Sequence, residues 1–130
     1  MLKVILALLF LGVAVNAKVT RPQITAIVNS LNAAVQLDNK CKTSADCATA
    51  AVGARACGGP NSYVVYSTKS SNADDIISLA KLSTELEQKY NMENSVMSIC
   101  MMAIPPSAVC TENKCTASSS FSPLQPIDLQ

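Results

Sequence analysis

The 130-residue sequence contains no histidine and no tryptophan. Without histidine the chain lacks the commonest general base, the partner that completes Ser-His and Cys-His nucleophilic pairs, and the commonest metal ligand. Cys-x-x-Cys is also absent, so thioredoxin-like exchange and zinc ribbons lack their spacing. No Asn-x-Ser/Thr sequon occurs, which excludes ordinary N-glycosylation. Ten basic residues stand against nine acidic ones, a net charge of +1. That balance favours neither nucleic acid nor an anionic membrane as partner.

Long hydrophobic runs are missing too. The longest, Val4 to Val15, is too short to span a bilayer. It follows Lys3 and precedes Val15-Asn16-Ala17, the three-part pattern of a secretory signal peptide over residues 1–17. A secreted, extracellular protein with no membrane association is the expectation. The six cysteines, Cys41, Cys47, Cys57, Cys100, Cys110 and Cys115, then read as up to three disulfides in an oxidising compartment. Six half-cystines allow 15 pairings, and the sequence does not choose among them. The expectation is that no thiol stays free.

Local signals divide the rest of the chain. Thr20-Arg21-Pro22-Gln23 has capping-box spacing with proline in the first turn. Ile24, Ile27, Val28, Leu31 and Val35 recur at helical intervals, which predicts a helix over 21–37. Cys41 to Cys47 is a polar loop, Ala48 to Ala54 a weak strand, and Cys57-Gly58-Gly59-Pro60 a turn. Tyr63 to Ser67 reads as a strand with Tyr63 and Val65 on one face and Val64 and Tyr66 on the other. Asn72-Ala73-Asp74-Asp75 opens a second helix over 73–90, with Ile76, Leu79, Leu82, Leu86 and Tyr90 on one broad face and Asn91 as its stop.

Ser95 to Ile104 alternates with apolar residues on both faces, the pattern of a central strand covered on both sides. Pro105-Pro106 ends it, and Thr111 to Lys114 forms a polar turn between Cys110 and Cys115. The predicted fold is α+β: a small, mostly antiparallel sheet of three to four strands with two helices, stabilised by disulfides. One domain covers 18–117, with its cysteine-bracketed core at 41–115, and a Ser/Pro-containing tail covers 118–130.

The order Cys41-x5-Cys47, Val52-Gly53, Cys57 to Pro60, Tyr63-x-x-Tyr66-Ser67, Tyr90-Asn91, Ser98-x-Cys100, Pro105-Pro106 and Cys110-x4-Cys115 resembles a set of small secreted and lipoprotein six-cysteine domains. That resemblance spans most of the chain after Asp38 and implies a domain type, with no activity attached. More locally, Cys100 to Cys110 is similar to the reactive loop of Bowman–Birk serine-protease inhibitors. By position, Met102 would enter the primary pocket of a protease, Met102–Ala103 would lie at the scissile-like bond, and Ile104-Pro105-Pro106 would brace the loop. The loop here has two more residues before its closing cysteine, and the chain lacks the dense cysteine array of that family. The competing reading of Met102 is a buried strand position ended by proline.

Other chemistry is weakly encoded. Cys41, Cys47, Cys110 and Cys115 could hold a metal as four thiolates, but disulfides suit a secreted chain better. Asp74-Asp75 is explained by its place at a helix start. Asp38, Asp46 and Glu112 lack the spacing of a calcium loop. Cys57 to Pro60 lacks the lysine of a phosphate loop. Met97, Met101 and Met102 read as core filler before they read as a copper site or a pliable surface. The sequence therefore points to a non-enzymatic, cofactor-free, metal-free secreted protein that serves as a structural, matrix or binding component and engages an extracellular protein or matrix partner. Serine-protease inhibition through Met102 to Pro106 is the alternative.

Overall fold

The computed structural model describes residues 17–118. The expected signal peptide, but for Ala17, and all of the expected tail but Ser118 lie outside the described residues. Helix α1 spans Arg21–Leu37, as its periodicity predicts. Gln23 Oε1 accepts from the Thr20 N–H at 2.9 Å, satisfying a donor that the first helical turn leaves without an intrahelical partner. Strand β1 (Cys47–Val52) pairs antiparallel with β2 (Ser62–Ser67), from Cys47 opposite Ser67 to Val52 opposite Ser62. Helix α2 spans Ala73–Glu93. Strands β3 (Ser107–Thr111) and β4 (Lys114–Ser118) form a second hairpin. Glu112 and Asn113 both take positive φ at its turn, as the twist of a two-residue hairpin demands.

The α+β class holds, with one correction to its sheet. Two separate two-stranded hairpins replace the single sheet of three to four strands. The helices run antiparallel: Arg21 at the start of α1 meets Glu87 near the end of α2, and Asn72 Nδ2 donates to Ala34 O at the opposite end. Leu31, Val52, Tyr66, Ile76 and Ala80 form the buried core, with Val28, Val35, Ala50, Val64 and Leu79 packed around it. Val64 and Tyr66 share the core-facing side of β2, as strand alternation requires.

Two disulfides fasten the second hairpin to the start of the first. Cys41 bonds Cys110 across a sequence separation of 69, and Cys47 bonds Cys115 across 68. Cys110 and Cys115 face each other in the β3–β4 register, so both bridges leave one point of the hairpin. The Cys41 N–H donates to Asn113 O and the Cys115 N–H to Asn39 O, each at 3.0 Å. The expectation of three closed bridges needs correction, because Cys57 and Cys100 are unpaired.

The buried line of α2 also differs from the apolar face expected for it. Ile76 and Ala80 are buried, but the line continues through Ser83 and Glu87, whereas Leu82 is exposed. This lower half of the helix faces backbone. Ser83 Oγ accepts from the Gly53 N–H at 3.1 Å, Thr84 Oγ1 donates to Gly53 O, and Glu87 Oε2 accepts from the Ala54 N–H at 3.2 Å. Asn91 Nδ2 donates to Ala54 O at 2.9 Å. Asn91 therefore grips the chain after β1, and the helix runs beyond it to Glu93. Gly53 has φ +72°, and a Cβ there would collide with Glu87 Oε2 and Asn61 Nδ2. Only glycine permits this close docking of a strand end on a helix.

Candidate functional site

The expected central strand at Ser95 to Ile104 does not form. Residues 96–106 have no regular secondary structure. The segment's described backbone bonds go to Asn91 and within itself, none to either hairpin, and Pro105 and Pro106 carry no N–H. Two helices over one hairpin are also too small a layer to cover a strand on both sides. The alternation of apolar residues is real, but solvent lies on both faces.

The segment leaves α2 through Ser95 at φ +49°. The Val96 N–H donates to Asn91 O at 3.0 Å, and the Met101 N–H turns back to Ile99 O at 2.9 Å. Its large apolar side chains project outward: Met97 is 93% exposed, Ile99 78%, Met102 86% and Ile104 86%, with Met101 exposed as well. Ala103 and Pro106 are half-buried and Pro105 is exposed. The reading of the methionines as core filler is therefore corrected. All the residues expected for an inhibitory loop, Met102 to Pro106, lie together on this segment. It is held at its far end by Cys110, which the Cys41 bridge fixes and whose N–H donates to Ser44 Oγ at 3.0 Å.

The glycine-rich bend meets this segment from the other side. Gly58 and Gly59 take φ +111° and +76°, and the Arg55 N–H donates to Gly59 O at 2.9 Å to close the turn. Cys57 sits at its exposed tip, and its N–H donates to Ser98 Oγ at 3.4 Å. The side chains of Cys57 and Cys100 hydrogen-bond each other. That bond, then the Ser98 hydroxyl, lowers the Cys57 pKa below the ordinary thiol value. The same bond raises that of Cys100. Between the bend and the end of α2 lies an open pocket of about 470 Å³, lined in part by Arg55, Gly58, Gln88, Met92 and Val96.

A second depression of about 560 Å³ sets Lys40, Lys42 and Lys69 against Asp38 and Asp46. The Asp46 carboxylate accepts from the Lys42 and Thr43 N–H groups, and these bonds hold its pKa below the usual carboxylate value. Glu112 belongs to the β3–β4 turn and Asp74-Asp75 to the first turn of α2, where both acids are exposed. Of the cysteines weighed as metal ligands, Cys41, Cys47 and Cys115 have sulfurs within 4.8 Å of one another, yet all are held in the two disulfides.

Sequence reasoning missed the contact between Cys57 and Cys100, whose separation leaves no local signal. It also missed the Ser83, Thr84, Glu87 and Asn91 column. Its one available clue was the helical spacing of Ser83, Glu87 and Asn91. Comparison with protein-family models, curated proteins and solved structures gave no match.

Proposed function

We propose that this is a secreted, non-enzymatic, disulfide-stapled protein that binds an extracellular structural or matrix partner through the segment Met97 to Ile104. The observation that carries this reading is the outward projection of Met97, Ile99, Met101, Met102 and Ile104 from one continuous stretch. Leu37, Ile77, Leu82 and Met92 are also exposed, but they do not form one continuous stretch. An apolar run such as 97–104 gains nothing in stability from its exposure, and exposed apolar patches of this kind mark interaction sites. The two disulfides support an oxidising compartment, and among the described residues no helix is long and apolar enough to cross a membrane. The resemblance to secreted and lipoprotein six-cysteine domains points the same way.

The test is retention on insoluble extracellular matrix from the secreting tissue, washed at high salt to remove weak ionic contacts. The natural sequence is retained, and a variant with Met97→Ser, Ile99→Ser, Met102→Ser and Ile104→Ser is retained at least about tenfold less, the loss of roughly 1.4 kcal/mol or more of apolar contact. Equal retention of both proteins overturns the reading.

One observation favours a second reading, inhibition of a chymotrypsin- or elastase-like serine protease. Met102 stands free of the surface, followed by a half-buried Ala103 and, after Ile104, by the Pro105-Pro106 brace. A loop held open by prolines loses little conformational entropy on docking. Stoichiometric inhibition abolished by Met102→Asp would support it, and failure across a panel of such proteases would remove it.

A further inference from the structure

Four of the six cysteines are spent in bridges, and the remaining two meet at the surface. Cys57 and Cys100 are both exposed and their side chains adjoin, and the Cys57 N–H donates to Ser98 Oγ, two residues before Cys100, at 3.4 Å. The Ser98 hydroxyl and the charge of Arg55 also favour the Cys57 thiolate. The pair is thus asymmetric, with one sulfur suited to attack and the other to resolve. The two formed bridges present a contrast, since Cys41 and Cys115 are buried at 6% and 3% exposure. An incoming thiolate reaches those sulfurs poorly.

We propose that Cys57 and Cys100 are a thiol–disulfide exchange site, forming a reversible third bridge that clasps the apolar segment 96–104 to the glycine-rich bend while the other two bridges stay closed. The oxidant is a low-molecular-weight disulfide. The Cys57 thiolate attacks one of its sulfurs, a mixed disulfide forms on Cys57, and the first small thiolate leaves. Cys100, having lost its proton to water, attacks the Cys57 sulfur and expels the second small thiolate. Two protein thiols become one disulfide, and the small disulfide becomes two thiols that carry off the two protons. The reverse sequence opens the clasp.

The clasp matters because few other bonds restrain the segment. Between the Val96 N–H on Asn91 O and the start of β3, its described backbone bonds are the Met101–Ile99 turn and the Cys57 N–H on Ser98 Oγ. Closing the sulfur pair adds a covalent anchor in the middle of that stretch. The open form leaves the exposed methionines and isoleucines on a looser tether.

The test equilibrates the purified full chain across mixtures of reduced and oxidised glutathione, quenches with N-ethylmaleimide and maps the labelled peptides. At the reducing end two labels appear, on Cys57 and Cys100, with Cys41, Cys47, Cys110 and Cys115 unlabelled. Toward the oxidising end they give way to a cross-linked peptide joining Cys57 to Cys100. Cys100→Ser accumulates a stable glutathione adduct on Cys57. Its Cys57 is labelled at pH 7 at least about fivefold faster than Cys100 is in Cys57→Ser. Amide exchange over 96–104 is about tenfold slower in the oxidised chain than in the reduced one.

Labelling of the other four cysteines at the same glutathione ratio overturns the proposal. So do separate glutathione adducts on both thiols, a pair that stays closed at every ratio sparing the other bridges, and unchanged exchange over 96–104. These readouts use no partner, so they stand or fall separately from the binding function.

Discussion

Replacing Glu87 by alanine should uncouple α2 from the chain that follows β1. The Glu87 carboxylate is 7% exposed and accepts from Arg21 Nη1 at 2.7 Å, Asn61 Nδ2 at 2.5 Å and the Ala54 N–H at 3.2 Å. These contacts are unequal. Ala54 is buried, and leaving its N–H without an acceptor costs about 1–3 kcal/mol. The Arg21 side chain is 51% exposed, so its ion pair contributes at most about 1 kcal/mol, and its stacking over the Tyr90 ring at 4.4 Å survives the change. Asn61 is exposed and regains water. Adding the loss of one methylene gives a destabilisation of about 3 kcal/mol, carried mainly by the Ala54 contact. In urea this moves the unfolding midpoint down by roughly 2 M for a slope near 1.5 kcal/mol/M. Arg21→Ala should cost about 1 kcal/mol or less. A Glu87→Ala loss below about 1 kcal/mol, or an Arg21→Ala loss as large as that of Glu87→Ala, would refute the assignment of this junction to the carboxylate–backbone contact.

Gly53→Ala should cost at least about 2 kcal/mol, because it adds a clash to a positive φ, while Gly59→Ala, with open space around it, should cost about 1 kcal/mol; equal losses in urea melts would show that the docking on α2 is slack. Removing either disulfide alone should cost about 3 kcal/mol, since the other still closes nearly the same loop and leaves only about a dozen residues to constrain. Removing both should cost about 7 kcal/mol and unfold the domain; a doubly substituted chain that keeps its thermal transition would contradict this. Asp46→Asn should be less stable than the natural sequence at pH 6. The folded pKa of Asp46 is depressed, so its contribution is full above the unfolded value of about 3.9 and disappears as pH falls through the lower folded value. The gap in melting temperature should therefore close below about pH 4, and a gap that widens in acid would reverse the sign.

Elements were legible wherever a local pattern sufficed. The capping spacing of Thr20 and Gln23, the stripe from Ile24 to Val35 and the β-branched run at Tyr63 to Tyr66 each carry their own signal, and each forms the element it predicts. Burial was less legible because it depends on what the rest of the chain can cover. Alternation from Val96 to Ile104 is the same for a doubly covered strand and for an extended segment in water. The difference lay in whether another part of the chain pairs with the segment and covers it, which no window of residues contains. The lower half of α2 misled in the opposite direction. Its leucines suggested the buried face, but the unpaired backbone at Gly53 and Ala54 required polar partners and drew Ser83, Glu87 and Asn91 inward. The candidate site was thus half visible. Met102 to Pro106 stood out by motif, whereas the meeting of Cys57 with Cys100 depends on how the bend and segment 95–106 are brought together.

The central claim is that segment 97–104 is the surface that binds. Methionine oxidation reads this directly, because Met97, Met101 and Met102 are exposed in the free protein and exposed thioethers convert to sulfoxides under mild peroxide. Peptide mapping of free and matrix-bound protein after the same peroxide pulse gives the three rates side by side. All three should fall several-fold in the bound protein; oxidation at the free rate while the protein remains bound would place the contact elsewhere and contradict the account.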